Sequence, residues 1–383
     1  MSVRCGWCRS RMASREWEQA RGSAKVYEGL LSADATIPAG SCPSVGIAGL
    51  TLGGGLGYLG RKHGLTSDCL CGARLVLADG RIVDCDEGTE PDLFWALRGA
   101  GSGNFGVVTD LFFRTIPVPA VVSVFHLSWP WSDAGAVARA WLDWTPSAPD
   151  EIAASLDLRA GAIPDESLRV ELFGTMLGTA SDATRLLDDL VLRARADPAA
   201  TVVDELSYHG MLRHWGERSH TRLDDPREQD EPRPYEFIKS EFFDRPLSDG
   251  ALSAMIANLN DASPLVSYRE IDFSPWGGAY NRIAAHATAF PHRSATNWLK
   301  HTARFDSPPS AAEKTAAHGW VNRSWAAVHG EGTGGVFPNF ADPDLEDWAT
   351  TYYGSNYPRL LEVKSRYDPD NIFRGRQTLP VAR

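Results

Sequence analysis

The sequence predicts an α+β fold, because strand-like and helix-like segments share the chain and no internal repeat is present. The run 73–85 is typical of a β-hairpin: two apolar stretches rich in β-branched residues flank Asp79-Gly80, a pair preferred in type I′ turns. Farther along, strand patterns such as 121–129 alternate with amphipathic helical patterns such as 133–144. Together these patterns predict an α+β protein.

Composition and proline placement divide the chain into four segments. The first 21 residues contain five arginines and sustain neither helical nor strand periodicity, so we expect no regular structure there. Pro117 and Pro119 mark a boundary between a glycine-rich region and a longer region of strands and helices. The predicted segments are 1–21, a first domain at 22–118, a second domain at 119–335, and a C-terminal segment at 336–383 that returns to the first domain.

Charge and hydropathy exclude two classes of partner. The formal net charge of -11 disfavours nucleic acids and anionic membranes, since both require clustered lysine and arginine. No apolar run approaches the roughly 20 residues of a membrane span, and the N-terminus has no apolar signal region. We therefore expect a cytoplasmic protein whose oligomeric state the sequence does not determine.

Metal and hydrolase sites are not indicated by the sequence. Cys5 and Cys8 form a C-x-x-C motif, but no second cysteine pair or histidine cluster follows at zinc spacing. A G-x-S-x-G motif is also absent, which argues against an α/β-hydrolase triad. The sequence predicts no metal centre.

Two segments satisfy the G-x-G-x-x-G pattern, at 55–60 and at 101–106. A dinucleotide-binding Rossmann loop must follow a strand and open a helix, so that the pyrophosphate lies at the helix N-terminus. The first match runs into the short, glycine-broken stretch 61–64, and the second runs directly into the strand 107–113. Both therefore fail the structural requirement. Two such dense glycine loops still favour contact with a large, flat cofactor over simple tight turns.

Four motifs occur in order along the chain, at 40–57, 92–109, 277–293 and 353–373. Together they resemble the berberine bridge enzyme family, which has the FAD-binding fold shared with vanillyl-alcohol oxidase and p-cresol methylhydroxylase. The resemblance covers about residues 22–383. It implies the C-terminal part of a p-cresol methylhydroxylase-type FAD-binding domain, followed by an α+β substrate domain with an antiparallel sheet.

The resemblance also implies a cofactor site and a reaction. FAD would accept hydride at flavin N5 from a small organic substrate such as an alcohol, a sugar or a natural-product ring, and dioxygen would reoxidise it. The residues expected to contact FAD are Cys42, Ser44, Val45, Gly46, Gly49, Gly53, Gly54, Gly103, Asn104, Phe105, Val107 and Asn339. Cys42 matches the position that forms a thioether to the flavin in doubly tethered members. The alternative for Cys42 is an inert buried thiol.

Two departures from the family pattern affect these expectations. The Arg-Gly-Gly-His-type loop that wraps the pyrophosphate, and whose histidine forms the other flavin bond, has no counterpart in the chain. We therefore expect a truncated domain with weakened FAD binding, or a non-catalytic small-molecule-binding remnant as the alternative. The family's tyrosinate base is also absent, because the matching stretch reads Phe337-Pro-Asn-Phe340. Weak substitutes are Tyr58 and Tyr280, with Tyr235 and Glu236 as further options.

Overall fold

The computed structural model describes residues 2–5, 22–42, 44–161, 168–218, 235–261 and 266–381, and all structural statements below concern these residues. Within them, no helix is long and apolar enough to cross a bilayer. Cys8 of the C-x-x-C motif lies outside the described residues. Residues 2–5, for which the sequence predicts no regular structure, form a strand. This strand pairs in parallel with residues 110–113. The pairing uses backbone hydrogen bonds, which do not require a pattern of side chains.

The first structural unit contains two small sheets and four helices. Its strands are β1 (Ser2–Cys5), β2 (Ala35–Thr36), β3 (Leu70–Val76), β4 (Ile82–Cys85), β5 (Val107–Phe113) and β6 (Ile116–Pro117). Its helices are α1 (Ser23–Leu31), α2 (Ile47–Leu52), α3 (Gly60–His63) and α4 (Pro91–Ala100). The larger sheet has the order β1-β5-β3-β4, and β2 pairs with β6.

The predicted hairpin is present, but the type I′ turn is wrong. Strands β3 and β4 pair antiparallel, and the Gly80 amide donates to the Leu77 carbonyl over 3.0 Å. Gly80 has a φ of +82°, whereas Asp79 is not among the residues with positive φ. A type I′ turn would require positive φ at both central residues. The loop is instead a three-residue turn with glycine in the left-handed position.

The second unit is built on one large antiparallel sheet. Its strands are β7 (Val122–Trp129), β8 (Ile152–Gly161), β9 (Arg169–Met176), β10 (Ala200–Leu206), β11 (Tyr235–Phe243), β12 (Tyr268–Pro275) and β13 (Asn297–Phe305), in the order β10-β7-β9-β8-β12-β13-β11. Its helices are α5 (Ala134–Trp144), α6 (Ala180–Ala194), α7 (Tyr208–Arg218), α8 (Asp249–Leu259) and α9 (Ala311–His329). The predicted α+β class with an antiparallel sheet in the second domain is confirmed.

Strand alternation gives the large sheet two different faces. On one face, here called the helix face, apolar side chains such as Leu156, Ile271 and Leu299 join a core with helices α5, α6, α8 and α9. The opposite face, here called the polar face, presents Asp157 and Asp272 at directly opposed positions of β8 and β12. Because successive side chains of a strand point to opposite sides, each strand serves both faces.

The C-terminal segment packs on the first unit. Helices α10 (Trp348–Tyr353) and α11 (Tyr357–Tyr367) share a buried core with α4 and β3. No helix begins at Asp342-Pro343, although an aspartate followed by proline is typical of a helix start. Asp342 instead accepts a hydrogen bond from the Asp344 amide and forms an ion pair with Lys239, whose Nζ lies 2.5 Å from the Asp342 carboxylate. Its carboxylate therefore fixes a turn and an inter-segment contact, and the helix begins later.

Candidate active site

The first loop of the site presents backbone without covering side chains. Cys42, Ser44, Val45, Gly46 and Gly49 are all exposed around the start of α2. A Cβ added at Gly46 or Gly49 would meet no atom within 4 Å. Backbone amides at such positions can lie directly against a flat ligand. The loop thus leaves backbone uncovered at Gly46 and Gly49, beside the exposed side chains of Cys42, Ser44 and Val45.

Gly53 and Gly54 have a different role, and here the structure departs from the expectation that they face the cofactor. Both are buried. A Cβ at Gly53 would lie 1.9 Å from Asn339 Oδ1, and one at Gly54 would lie 3.1 Å from the Phe290 ring. These glycines therefore allow close packing of the protein on itself. Asn339 is the reciprocal partner, because its Nδ2 donates to the Leu50 carbonyl over 2.9 Å.

The second loop runs beside the first. The Gly101 amide donates to the Leu52 carbonyl over 3.0 Å, which joins the end of α4 to the end of α2. Gly103 and Val107 are exposed, whereas Asn104 and Phe105 are buried beneath them. A Cβ at Gly103 would meet no atom within 4 Å. The second loop is therefore exposed at Gly103 and Val107 and is held from beneath by the buried Asn104 and Phe105.

Asn104 is anchored by the C-terminal segment. Its Oδ1 accepts from the Leu379 amide over 2.9 Å, and its carbonyl accepts from Lys364 Nζ over 2.8 Å. Lys364 is fully buried and is neutralised by Asp368 at 2.5 Å. A buried ammonium is stable only with such complete pairing. The motif residues near the C-terminus thus hold the second loop in place.

Charged side chains gather on the polar face of the large sheet. Lys300 Nζ on β13 lies 3.2 Å from Glu270 Oε1 and 3.4 Å from Asp272 Oδ2, both on β12. Arg159 on β8 lies 3.1 Å from Glu270 and 2.5 Å from Asp157. We call these five residues the charge cluster. Its neighbours Tyr268, Arg304 and Glu236 lie along the same face.

The pKa values of the three carboxyl groups in the charge cluster are shifted in different directions. Burial raises the pKa of Asp272, and the nearby Lys300 ammonium only partly opposes it. Burial and the Glu270 charge raise the pKa of Asp157 well above its usual value. Burial also acts on Glu270, but Lys300 and Arg159 outweigh it and lower the pKa of that carboxyl. Glu270 is thus held ionised, while its two neighbours favour a proton.

Cys42 connects the first loop to the charge cluster. Its side chain is accessible to solvent, yet surrounding protein raises the pKa of its thiol and the Lys300 ammonium opposes that rise. The Cys42 thiol therefore lies within electrostatic range of Lys300, and the region between these two side chains is here called the recess. Phe340 follows Asn339, whose side chain donates to the Leu50 carbonyl of α2. The Phe340 ring centroid lies 5.8 Å from Lys300 Nζ. The open loop and the polar face therefore border one recess.

The two tyrosines proposed as substitute bases lie apart from the charge cluster. Tyr280 is 1% exposed, donates to the Gly57 carbonyl and stacks on Trp276. Tyr58 stacks on Trp215, with 4.8 Å between ring centroids. Neither contact leads to the recess beside Lys300. Tyr235 is exposed at the start of β11, and its neighbour Glu236 lies on the polar face.

Sequence reasoning missed the charge cluster. The signal that could have revealed it is the alternation in β12, where Glu270, Asp272 and Ser274 are interleaved with apolar residues. This period of two predicts a strand with one polar face. It does not show that β8 and β13 bring Arg159 and Lys300 to the same place, because register is not readable from one strand.

Comparisons with known proteins match this architecture. Residues 23–86 match the family described as FAD binding domain, and residues 336–380 match the family described as Berberine and berberine like. The FAD-linked oxidoreductase YgaK of Bacillus subtilis (strain 168) is 32% identical over 368 residues, which cover 94% of this chain and 75% of YgaK. The chain belongs to the berberine bridge enzyme-like family of FAD-linked oxidoreductases.

Other family members extend the comparison. Glucooligosaccharide oxidase of Sarocladium strictum is 29% identical over 356 residues, covering 87% of this chain and 68% of that enzyme. The structure of Physcomitrella patens BBE-like 1 superposes with a TM-score of 0.84 at 28% identity, covering 95% of this chain and 76% of the other. The fold is thus the p-cresol methylhydroxylase-type FAD fold, and the chain is an FAD-dependent oxidoreductase.

The described residues fit FAD on physical grounds. Gly46, Gly49 and Gly103 leave two neighbouring strips of backbone uncovered. Val45 and Val107 border them with 39% and 58% of their surface exposed, although apolar side chains are usually buried when a partner is available. An open backbone strip with apolar edges suits a flat ring system whose polar atoms need N–H donors.

Proposed function

We propose that the chain oxidises a small hydroxylated molecule, such as an alcohol or a sugar, at the recess between the first loop and the charge cluster. When bound, FAD supplies the two-electron acceptor at this position, and dioxygen is the proposed final acceptor. The observation that carries the proposal is that Lys300, whose Nζ lies 3.4 Å from Asp272 Oδ2 on the polar face, also acts electrostatically on the Cys42 thiol. Carboxylates and ammonium groups are suited to binding hydroxyls.

Asp272 is the proposed general base. Oxidation of an alcohol removes a proton from the hydroxyl and a hydride from the carbon, so a base must stand at the hydroxyl. The Asp272 side chain keeps 16% of its surface exposed, which leaves it reachable from the recess. Ser274 donates to its Oδ1 over 3.0 Å and fixes its orientation. A pKa raised by burial brings the carboxyl closer to the working pH, as efficient base catalysis requires.

Lys300 and Glu270 are the proposed orienting residues. Lys300 Nζ lies within 3.4 Å of both neighbouring carboxylates, so it offsets their mutual repulsion and offers a donor to a substrate oxygen. The charges of Glu270 and Asp272 outweigh burial and raise the pKa of Lys300, so the donor stays charged. Glu270 stays ionised between Lys300 and Arg159. This arrangement holds the base in place without neutralising it.

Cys42 is the proposed attachment point for a thioether to the flavin. Its thiol is accessible; burial raises the thiol pKa, and the Lys300 ammonium opposes this rise and so supports the nucleophilic thiolate. An exposed thiol beside an ammonium fits this role better than that of an inert buried thiol. Tethering would raise the reduction potential of the flavin and keep the ring at the recess.

The test is turnover by an Asp272→Asn variant of the FAD-loaded chain, screened against alcohols, sugars and aromatic natural products. We expect kcat to fall by roughly 10²–10⁴-fold, because the amide cannot accept the proton. Asp84→Asn is the matched control, since Asp84 is an exposed carboxylate paired with Arg74 and should leave turnover unchanged. Unchanged turnover in Asp272→Asn would exclude Asp272 as the base. No turnover of any substrate by the FAD-loaded wild type would favour the binding-protein alternative.

A further inference from the structure

The charge cluster contains an unequal number of acids and bases. Three carboxyl groups, those of Asp157, Glu270 and Asp272, face two cations, Arg159 and Lys300. If all five were ionised, the cluster would carry one net negative charge on a surface largely withdrawn from water. Charge is costly to bury without compensation, so a single proton in the cluster would restore neutrality.

Asp157 is the carboxyl best placed to hold that proton. Its side chain is 3% exposed, less than that of Glu270 or Asp272. Its Oδ2 accepts from Arg159 at 2.5 Å, but Oδ1 is buried with no hydrogen-bond partner in the part of the chain that the structure describes. A carboxylate oxygen buried without a donor carries a large desolvation penalty, which protonation of the group reduces.

The surroundings of Asp157 contribute more negative than positive charge. Asp272 lies directly across the strand pair on β12, and Glu171 lies directly across on β9. The Cβ atoms of directly opposed residues lie about 5 Å apart, and the Asp272 charge acts on Asp157. The other ionisable groups on this face nearby are Arg159 on its own strand, Arg169 opposite Arg159 on β9, Glu270 and Tyr268 on β12, and Lys300 on β13. Lys300 is already shared between Glu270 and Asp272.

We propose that Asp157 is a neutral carboxylic acid in the folded protein, and that its proton leaves Asp272 ionised and available. Asp157 is thus a positioning residue that sets the charge of the cluster without touching the substrate. The direction of the pKa shift at Asp157 agrees with this assignment. The role assigned to Asp272 rests on the proposed function, whereas the protonation of Asp157 does not, so each can fail alone.

The first test reads the proton directly. The purified chain is labelled with ¹³C at aspartate side-chain carboxyls, and infrared and NMR spectra are recorded between pH 5 and pH 8. We expect one protonated aspartate at pH 7 in the wild type and in Asp84→Asn, and none in Asp157→Asn. Absence of a protonated aspartate in the wild type, or its survival in Asp157→Asn, would overturn the proposal.

The second test measures how the stability of the folded protein depends on pH. An acid whose folded pKa lies above its unfolded value of about 3.9 loses stability as pH rises through the window between the two. Asparagine has the shape of the neutral acid and no such loss. The melting temperature of Asp157→Asn, measured relative to wild type, should therefore rise from pH 4 to pH 8. A relative melting temperature that falls over this range would mean that Asp157 is ionised and paired with Arg159.

The third test measures turnover, which relates the proton on Asp157 to the proposed reaction. Asp157→Asn reproduces the proposed neutral state, so kcat at pH 7 should fall less in this variant than in Asp272→Asn. Its pH profile should also change on the alkaline side, because a neutral Asp157 ionises only as the pH rises and asparagine does not titrate. Loss of turnover in Asp157→Asn with an unshifted pH profile would contradict the proposal. Inactivity of the wild type would refute the proposed function and leave the first two tests intact.

Discussion

The two faces of the large sheet use the same strands for opposite purposes. On the helix face, Leu156, Ile271 and Leu299 are fully buried in an apolar core. One residue away along each strand, Asp157, Asp272 and Lys300 point to the polar face. The helix face gains stability from removing apolar surface from water, whereas the polar face holds charges that burial disfavours. Residues that stabilise the core and residues proposed for the reaction thus alternate along each strand.

This separation has a consequence for evolution of the site. Substitutions on the polar face change charge and hydrogen bonding while the core beneath stays packed. Substitutions on the helix face act on the whole unit, because interiors are packed as densely as organic crystals. The large sheet can therefore vary its chemistry with little effect on its fold.

The largest expected effect on stability comes from the helix face. Ile271→Ala removes a fully buried side chain and should lower the free energy of unfolding by about 2–5 kcal/mol. Denaturant unfolding measures it. The matched control is Ser155→Ala on the polar face of β8, which should change stability by no more than about 0.5 kcal/mol. Equal losses in the free energy of unfolding in the two variants would contradict the distinction between the helix face and the polar face.

A smaller effect on stability is expected from the centre of the polar face. Lys300→Met leaves Glu270 and Asp272 without their shared cation, which should cost about 1–3 kcal/mol. Because the Lys300 ammonium opposes the upward shift at Cys42, the thiol pKa should rise further in this variant. The pH dependence of Cys42 alkylation, followed in protein produced without flavin so that the thiol is free, measures this change. An unaltered alkylation profile would show that Cys42 and Lys300 do not share a recess.

The parts of the fold that sequence patterns predicted are those set by local chemistry. The hairpin at 73–85 and the failure of both glycine motifs as Rossmann loops follow from patterns within short windows, whereas the antiparallel sheet of the second domain was implied by the family resemblance. The Asp79-Gly80 pair illustrates the limit. It predicted a turn, but the type of turn depended on the pairing geometry of the flanking strands.

The candidate site was predictable only on its cofactor side. Motif resemblance identified the loops around Cys42 and Asn104, yet it did not separate open glycines such as Gly46 from packed ones such as Gly53. That difference depends on Asn339, which approaches from the other end of the chain. The charge cluster was not predicted, because its members come from three strands whose register is a property of the folded sheet.

The central claim is that FAD lies at the recess between the first loop and the polar face, attached through Cys42. An absorption spectrum of the purified chain, taken before and after acid denaturation and washing, tests it most directly. We predict flavin absorbance that survives denaturation in the wild type and is washed away after Cys42→Ala. A colourless, monodisperse protein that added FAD does not convert would contradict the claim, and retained flavin in Cys42→Ala would contradict the attachment.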